Sequence, residues 1–89
     1  MDHNNNLLKK LIYQSHYRGS RENDKLLSLF ARNHLKDYNF DQLLIFQTFL
    51  EESDPDIFAW VSGAREIPSI YNADIINNLF KFIRLRNLV

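Results

Sequence analysis

Apolar residues recur every three to four positions along almost the whole chain, and no segment alternates apolar with polar residues as a half-buried strand does. That pattern restricts the fold to helices that pack their apolar stripes together. Leu7, Leu8, Leu11 and Ile12, with Ser15 at the end, make a first stripe that stops at Gly19. Leu26, Leu27, Leu29, Phe30, Ala31 and Leu35 make a second, with Ser20 as its expected N-cap and Asn33, His34 and Lys36 closing it. Asn39 followed by Gln42 resembles a capping box, in which the Asn oxygen accepts a backbone N–H and the Gln reaches back. The helix opened there carries Leu43, Leu44, Phe46, Phe49 and Leu50.

The clearest start signal is Ser53-Asp54-Pro55-Asp56. Asp54 is expected at the N-cap and Pro55 at the first helical position, where a missing N–H costs nothing; Asp56 then faces the positive end of the helix dipole. A short helix through Ile57, Phe58, Trp60 and Val61 ends at Gly63. Pro68 disfavours helix at the residue before it, so Glu66–Ser69 reads as a loop. Asn72 is expected to cap a last helix with Ile75, Ile76, Leu79, Phe80 and Ile83 on one side, and Lys81, Arg84 and Arg86 towards its end. The predicted fold class is all-α, a compact five-helix bundle. Residues 1–6 are expected to be a disordered N-terminus, 7–87 a single helical domain and 88–89 a short tail.

Phe30, Phe46, Phe49, Phe58, Trp60 and Phe80 each fall on an expected inward stripe. Burial of one such side chain contributes on the order of 2 kcal/mol, against a backbone ordering cost of about 1–2 kcal/mol for every residue fixed. At 89 residues the surplus leaves little room for a large internal cleft, so the chain is expected to work through its surface.

Several chemistries are disfavoured. With no cysteine there is no disulfide, thiolate metal site or thiol nucleophile. Eleven basic and eleven acidic side chains give zero formal net charge, whereas nucleic-acid binding needs a surplus of Lys and Arg to displace counterions. His3, His16 and His34 have no metal-ligand spacing and read as surface histidines. Glu51–Asp56 lacks the alternating ligands and central Gly of a calcium loop and reads as a solvated helix start. No acid–base pair, nucleophile elbow or Gly-rich phosphate cradle is present, so an enzyme is not expected. No stretch approaches a membrane span or a signal-peptide core, which predicts a protein without membrane insertion.

What remains is Tyr17-Arg18-Gly19-Ser20-Arg21-Glu22, between the first two helices. Gly19 lets one helix stop and another begin, but a solvent turn needs no Arg before it and no Glu three residues after. Arg18 and Glu22 stand four apart and could form a helical ion pair worth a few tenths of a kcal/mol. A break at Gly19-Ser20 spoils that pairing and turns the Arg fork and the carboxylate towards a partner, with Gly19 admitting a close backbone.

Arg18, Gly19 and Glu22 match the Arg-Gly-x-x-Glu hallmark of the succinate dehydrogenase assembly factor family, small proteins that promote covalent FAD attachment to the flavoprotein subunit. Asn23 and the run Leu26-Leu27-Ser28-Leu29-Phe30 resemble its mitochondrial-type members, and Asp54-Pro55-Asp56-Ile57-Phe58-Ala59-Trp60 is similar to its second signature, Asp-x-Asp-hydrophobic-x-x-Trp. Tyr17 stands where many bacterial members have a second basic residue, and Ser20 where Met is more usual. The resemblance spans about residues 7–87.

It implies a five-helix bundle, and a chaperone that binds the flavoprotein subunit of succinate dehydrogenase, and the related subunit of fumarate reductase, while FAD becomes linked to a histidine there. It implies partner binding through Arg18, Gly19 and Glu22, with Arg21 and Tyr17 beside them, no tightly bound cofactor of its own, and FAD as the cofactor of the client. A monomer in the bacterial cytoplasm is expected, since the N-terminus has no Arg- and Ser-rich transit character. Two other readings compete. One is an antitoxin-like regulatory module for a different protein partner. The other is a nucleic-acid-binding module using Arg18, Arg21, Lys25, Lys81, Arg84 and Arg86.

Overall fold

The computed structural model describes residues 3–16 and 22–87, and for residues 3, 4, 22–24 and 87 the backbone alone. Five α-helices follow one another: α1 (His3–His16), α2 (Glu22–His34), α3 (Phe40–Leu50), α4 (Asp54–Ser62) and α5 (Asp74–Asn87). A 3-10 turn at Leu35–Asp37 leads into α3 and another at Ser69–Tyr71 precedes α5. No strand occurs among the described residues. The radius of gyration, 12.4 Å, is that of one folded core, since about 12 Å is expected for a globule of this length. α1 packs on α2 and α3, α5 lies against both α2 and α3, and α4 packs on α5.

Four local expectations shift. α1 runs back to His3, so the Asn residues placed in a disordered end are helical; packing of Leu7 and Leu11 into the core overrides the weak helix propensity of Asn. The cap of α4 is Ser53 rather than Asp54: its backbone is extended and its Oγ accepts the Asp56 N–H at 3.3 Å. That register puts both Asp54 and Asp56 in the first turn, where the dipole favours them.

Asn39 caps α3 as expected, accepting from the Gln42 N–H at 2.9 Å, but the Gln42 side chain does not reach back. Its Oε1 accepts the Ile75 N–H of α5 at 3.1 Å. Asn72 is not the cap of α5: its N–H closes the preceding 3-10 turn on the Ser69 carbonyl at 3.0 Å. α5 starts from Ala73, whose carbonyl accepts the Asn77 N–H at 3.0 Å and whose side chain cannot cap. The first N–H groups of any helix lack intrahelical partners, and α3 supplies one.

The core holds two aromatic groups bridged by α3. Phe46 sits 6.1 Å from Phe30, whose ring meets Phe82 edge-on at 5.4 Å. One turn further on, Phe49 lies 5.3 Å from Tyr71, 5.9 Å from Phe80 and 6.1 Å from Trp60. Phe58 does not join them; it is 61% exposed. In a helix of nine residues, Ile57 and Trp60 define the buried stripe, and Phe58 lies about 100° around the axis from Ile57. Tyr71 and Phe82 are buried instead. The Tyr71 hydroxyl donates to the Glu52 carboxylate, fastening the loop before α5 to the corner between α3 and α4. Gly63 ends α4 as expected, at φ 84°, with its N–H on the Trp60 carbonyl at 3.2 Å.

Candidate functional site

The segment singled out by its charges lies between α1 and α2 in the chain. Tyr17, Arg18, Gly19 and Arg21 lie outside the described residues, and Glu22 opens α2 with its side chain outside them. What the structure gives is the frame that holds the turn. Leu7, Leu11 and Ser15 form the buried stripe of α1, and Leu27, Phe30 and Ala31 that of α2. Ser15 is admitted to this apolar stripe because its hydroxyl donates to the Leu11 carbonyl at 2.8 Å, so no buried polar group goes unsatisfied.

One step around α1 from that stripe, Lys9, Ile12, Tyr13 and His16 occupy positions i, i+3, i+4 and i+7, the spacing of a single helix face. With Arg32 from α2 they line an open groove of about 390 Å³. The Tyr13 ring is 64% exposed along it. Among the described residues the lining comprises an aliphatic side chain, a phenol, an imidazole and two cations, with no carboxylate. The groove leads to His16, the residue before Tyr17, and so adjoins the charged turn in sequence. Reading the turn by itself misses it. The recurrence of Lys9, Tyr13 and His16 on one face was the signal available, and Arg32 gave none, because its place depends on how α2 packs.

The second signature, Asp54 to Trp60, is largely scaffolding. Ser53 and Pro55 start α4, Ile57 and Trp60 enter the core, and Asp56 pairs with Arg65 in the loop after the helix. Arg65 also lies 5.9 Å from the centre of the Trp60 ring, and its N–H donates to the Ala59 carbonyl at 3.1 Å. The hydrogen bond from Arg65, then that from Ser53, holds the Asp56 carboxyl below the usual carboxylate range. Burial, then the hydrogen bond to Glu52, raises the Tyr71 phenol well above its ordinary value. The Asp56 shift comes from a loop clasp and the Tyr71 shift first from burial, so both belong to the scaffold.

Two of the C-terminal cations, Arg84 and Arg86, lie exposed on the surface of the bundle and contact it there. Arg84 donates from Nε to the Val61 carbonyl at 3.0 Å and lies 5.6 Å from the centre of the Phe80 ring. Arg86 covers Phe82 at 3.8 Å. His34 rests against Phe30 and Phe82, with ring centres 5.2 and 5.4 Å away. Among the described residues no group of three His, Asp or Glu side chains could hold a metal ion, and no helix is long and apolar enough to cross a membrane.

Compared with known proteins, residues 9–83 match the family described as "Flavinator of succinate dehydrogenase". The chain is 38% identical over 73 residues to succinate dehydrogenase assembly factor 2-B, mitochondrial, of Drosophila mojavensis, covering 80% of this chain and 46% of that protein. It is 35% identical over 82 residues to assembly factor 2 of Schizosaccharomyces japonicus, covering 91% and 57%. Assembly factor 2 of Dictyostelium discoideum is 39% identical over 70 residues, covering 79% and 50%. The chain thus spans about half the length of the curated relatives it matches.

Proposed function

The chain belongs to the succinate dehydrogenase flavinator family, and on that premise we propose that it binds the flavoprotein subunit of succinate dehydrogenase and promotes covalent attachment of FAD to it. The observation that carries the proposal is a family match running from α1 into α2, with Arg18 and Gly19 between the two helices in the chain and Glu22 opening the second. In this reading the chain is an assembly factor and not an enzyme. The bond-making groups belong to the client, FAD is the client's cofactor, and the factor holds client domains where flavin and acceptor histidine meet.

Arg18 makes charge-assisted hydrogen bonds to the client, Glu22 accepts from it, and Gly19 lets its backbone approach. Tyr17 and Arg21 flank the contact. The flavoprotein of fumarate reductase is a second client of the same kind. The factor acts as a monomer in the compartment that holds the unassembled flavoprotein, which in a bacterium is the cytoplasm. A nucleic-acid role is less favoured, because the chain's eleven basic and eleven acidic side chains leave no surplus of positive charge.

The test is co-expression of the flavoprotein subunit with wild type or Gly19→Arg in cells lacking their own factor, read as covalent flavin fluorescence on a denaturing gel. Fluorescence with wild type, and its loss with a folded Gly19→Arg variant, is the expected result. No gain over an empty vector with a compatible client sinks the proposal and brings the antitoxin-like reading forward.

A further inference from the structure

We infer that the groove between α1 and α2 receives an acidic segment of the flavoprotein client, a carboxylate lying over Lys9 and Arg32 and an apolar side chain resting on Ile12 and Tyr13. The inference rests on the family reading above and adds to the turn a second contact, of different chemistry.

Charge is the first argument. Lys9 and Arg32 come from different helices and meet at one groove, and the described residues lining it include no Asp or Glu. α1 itself carries no acidic residue between His3 and His16. In a chain whose charges sum to zero, this face is therefore locally cationic. A guanidinium fork beside an ammonium suits a carboxylate, which the fork can hold through two parallel hydrogen bonds.

Shape and apolar surface are the second. A small inorganic anion would use the two cations and leave the rest of the groove empty. Ile12 and the largely exposed ring of Tyr13 continue it towards His16, offering an aromatic anchor of the kind that carries binding energy at interfaces. Seven helical positions separate Lys9 from His16, a run of about 10 Å. An extended peptide covers that in about three residues. Continuity is the third argument: His16, which lines the groove, directly precedes Tyr17, the first residue of the charged segment, in the chain.

The test compares binding of the apo-flavoprotein to wild type, to Lys9→Glu/Arg32→Glu, and to Lys10→Glu/Lys36→Glu, at low and high salt. The control pair makes the same change in net charge at exposed positions that do not line the groove. Thermal melts verify that both variants fold, and Lys9→Gln/Arg32→Gln replaces the first should it not. The groove reversal is expected to weaken binding at least about ten-fold and to flatten its salt dependence, because charges at an interface rim act chiefly on encounter. The control pair is expected to change binding less than about two-fold. Tyr13→Ala should weaken binding while leaving the salt dependence in place. Unchanged affinity in the groove reversal overturns the inference, as does an equal loss in both pairs, which would mean a general field rather than a site. A wild-type chain that does not bind the client at all is a different failure: it removes the proposed function and, with it, the groove's occupant.

Discussion

Gln42 and Ile75 stand 33 positions apart, and the side-chain carbonyl of the first accepts the backbone N–H of the second at 3.1 Å. Gln42 is in the first turn of α3 and Ile75 in the first turn of α5, so one side chain ties the starts of two helices. Ala73, just before α5, has no side-chain acceptor to offer, and the helix borrows its cap from a neighbour.

Replacing Gln42 by Leu removes that acceptor and leaves a half-buried N–H without its partner. The expected loss is about 1–2 kcal/mol, read as a lower urea midpoint with an unchanged slope. Gln42→Glu keeps an oxygen in place and sets a negative charge at the positive end of α5, so it should stay close to wild type.

Tyr71→Phe removes the donor to Glu52 and should cost about 1–2 kcal/mol at neutral pH. Its effect at high pH is distinctive. The phenol is neutral in the fold and its pKa is raised by burial and by Glu52. A group raised in the folded state keeps its full contribution below the unfolded value, near 10, and loses it as pH rises above that. Urea melts of wild type should therefore decline steeply beyond about pH 10, with a shallower decline in Tyr71→Phe. Absorbance of ionised phenol should lose a step that lies above the ordinary phenol value in the same variant.

Arg65→Gln is expected to raise the Asp56 carboxyl pKa towards the ordinary carboxylate value, because the Arg65 hydrogen bond is the main cause holding it down. The sign follows from the lowered folded value: the pairing favours the fold above the unfolded pKa and its contribution fades as pH falls through the folded one. A carbon-detected NMR titration of side-chain carboxyls reads this directly. An Asp56 midpoint unmoved by the substitution would show that Arg65 is not the cause.

Phe49 and Phe58 offer the sharpest contrast in the core. Phe49 is fully buried among Trp60, Tyr71 and Phe80, and Phe49→Ala should cost about 3–5 kcal/mol. That is a large share of the roughly 5–15 kcal/mol that holds a domain together. Phe58→Ala should stay within about 0.5 kcal/mol. Paired denaturation curves decide it, and a large loss at Phe58 would contradict its exposure.

These residues also show where the sequence was legible. Two signals that act within one turn read correctly, Asn39 as a cap and Gly63 as a terminator, whereas the start of α4 lies one position earlier than expected, with Ser53 as its cap and Pro55 second in the helix. Each depends on backbone atoms three or four positions away. Signals that depend on another element did not read correctly. Gln42 has a local partner on paper and a distant one in space, and Phe58 fits an apolar stripe until the packing of α4 fixes its rotation. Tyr71 sits in a loop with no periodicity to mark it as core. At the candidate site the charged turn is conspicuous in sequence because Arg18, Gly19 and Glu22 make a contiguous pattern. The groove beside it is not, because Arg32 reaches Lys9 only through the pairing of α1 with α2.

Trp60 is the chain's single tryptophan, buried beside Phe49 and Tyr71 with Arg65 near its ring, and none of these four residues lines the α1–α2 groove. Its emission is thus an optical gauge of the core, wired to the half of the molecule that contains α4. A variant of the charged segment that leaves the Trp60 spectrum untouched has kept the core around α4, so any client binding it has lost was not lost by unfolding there.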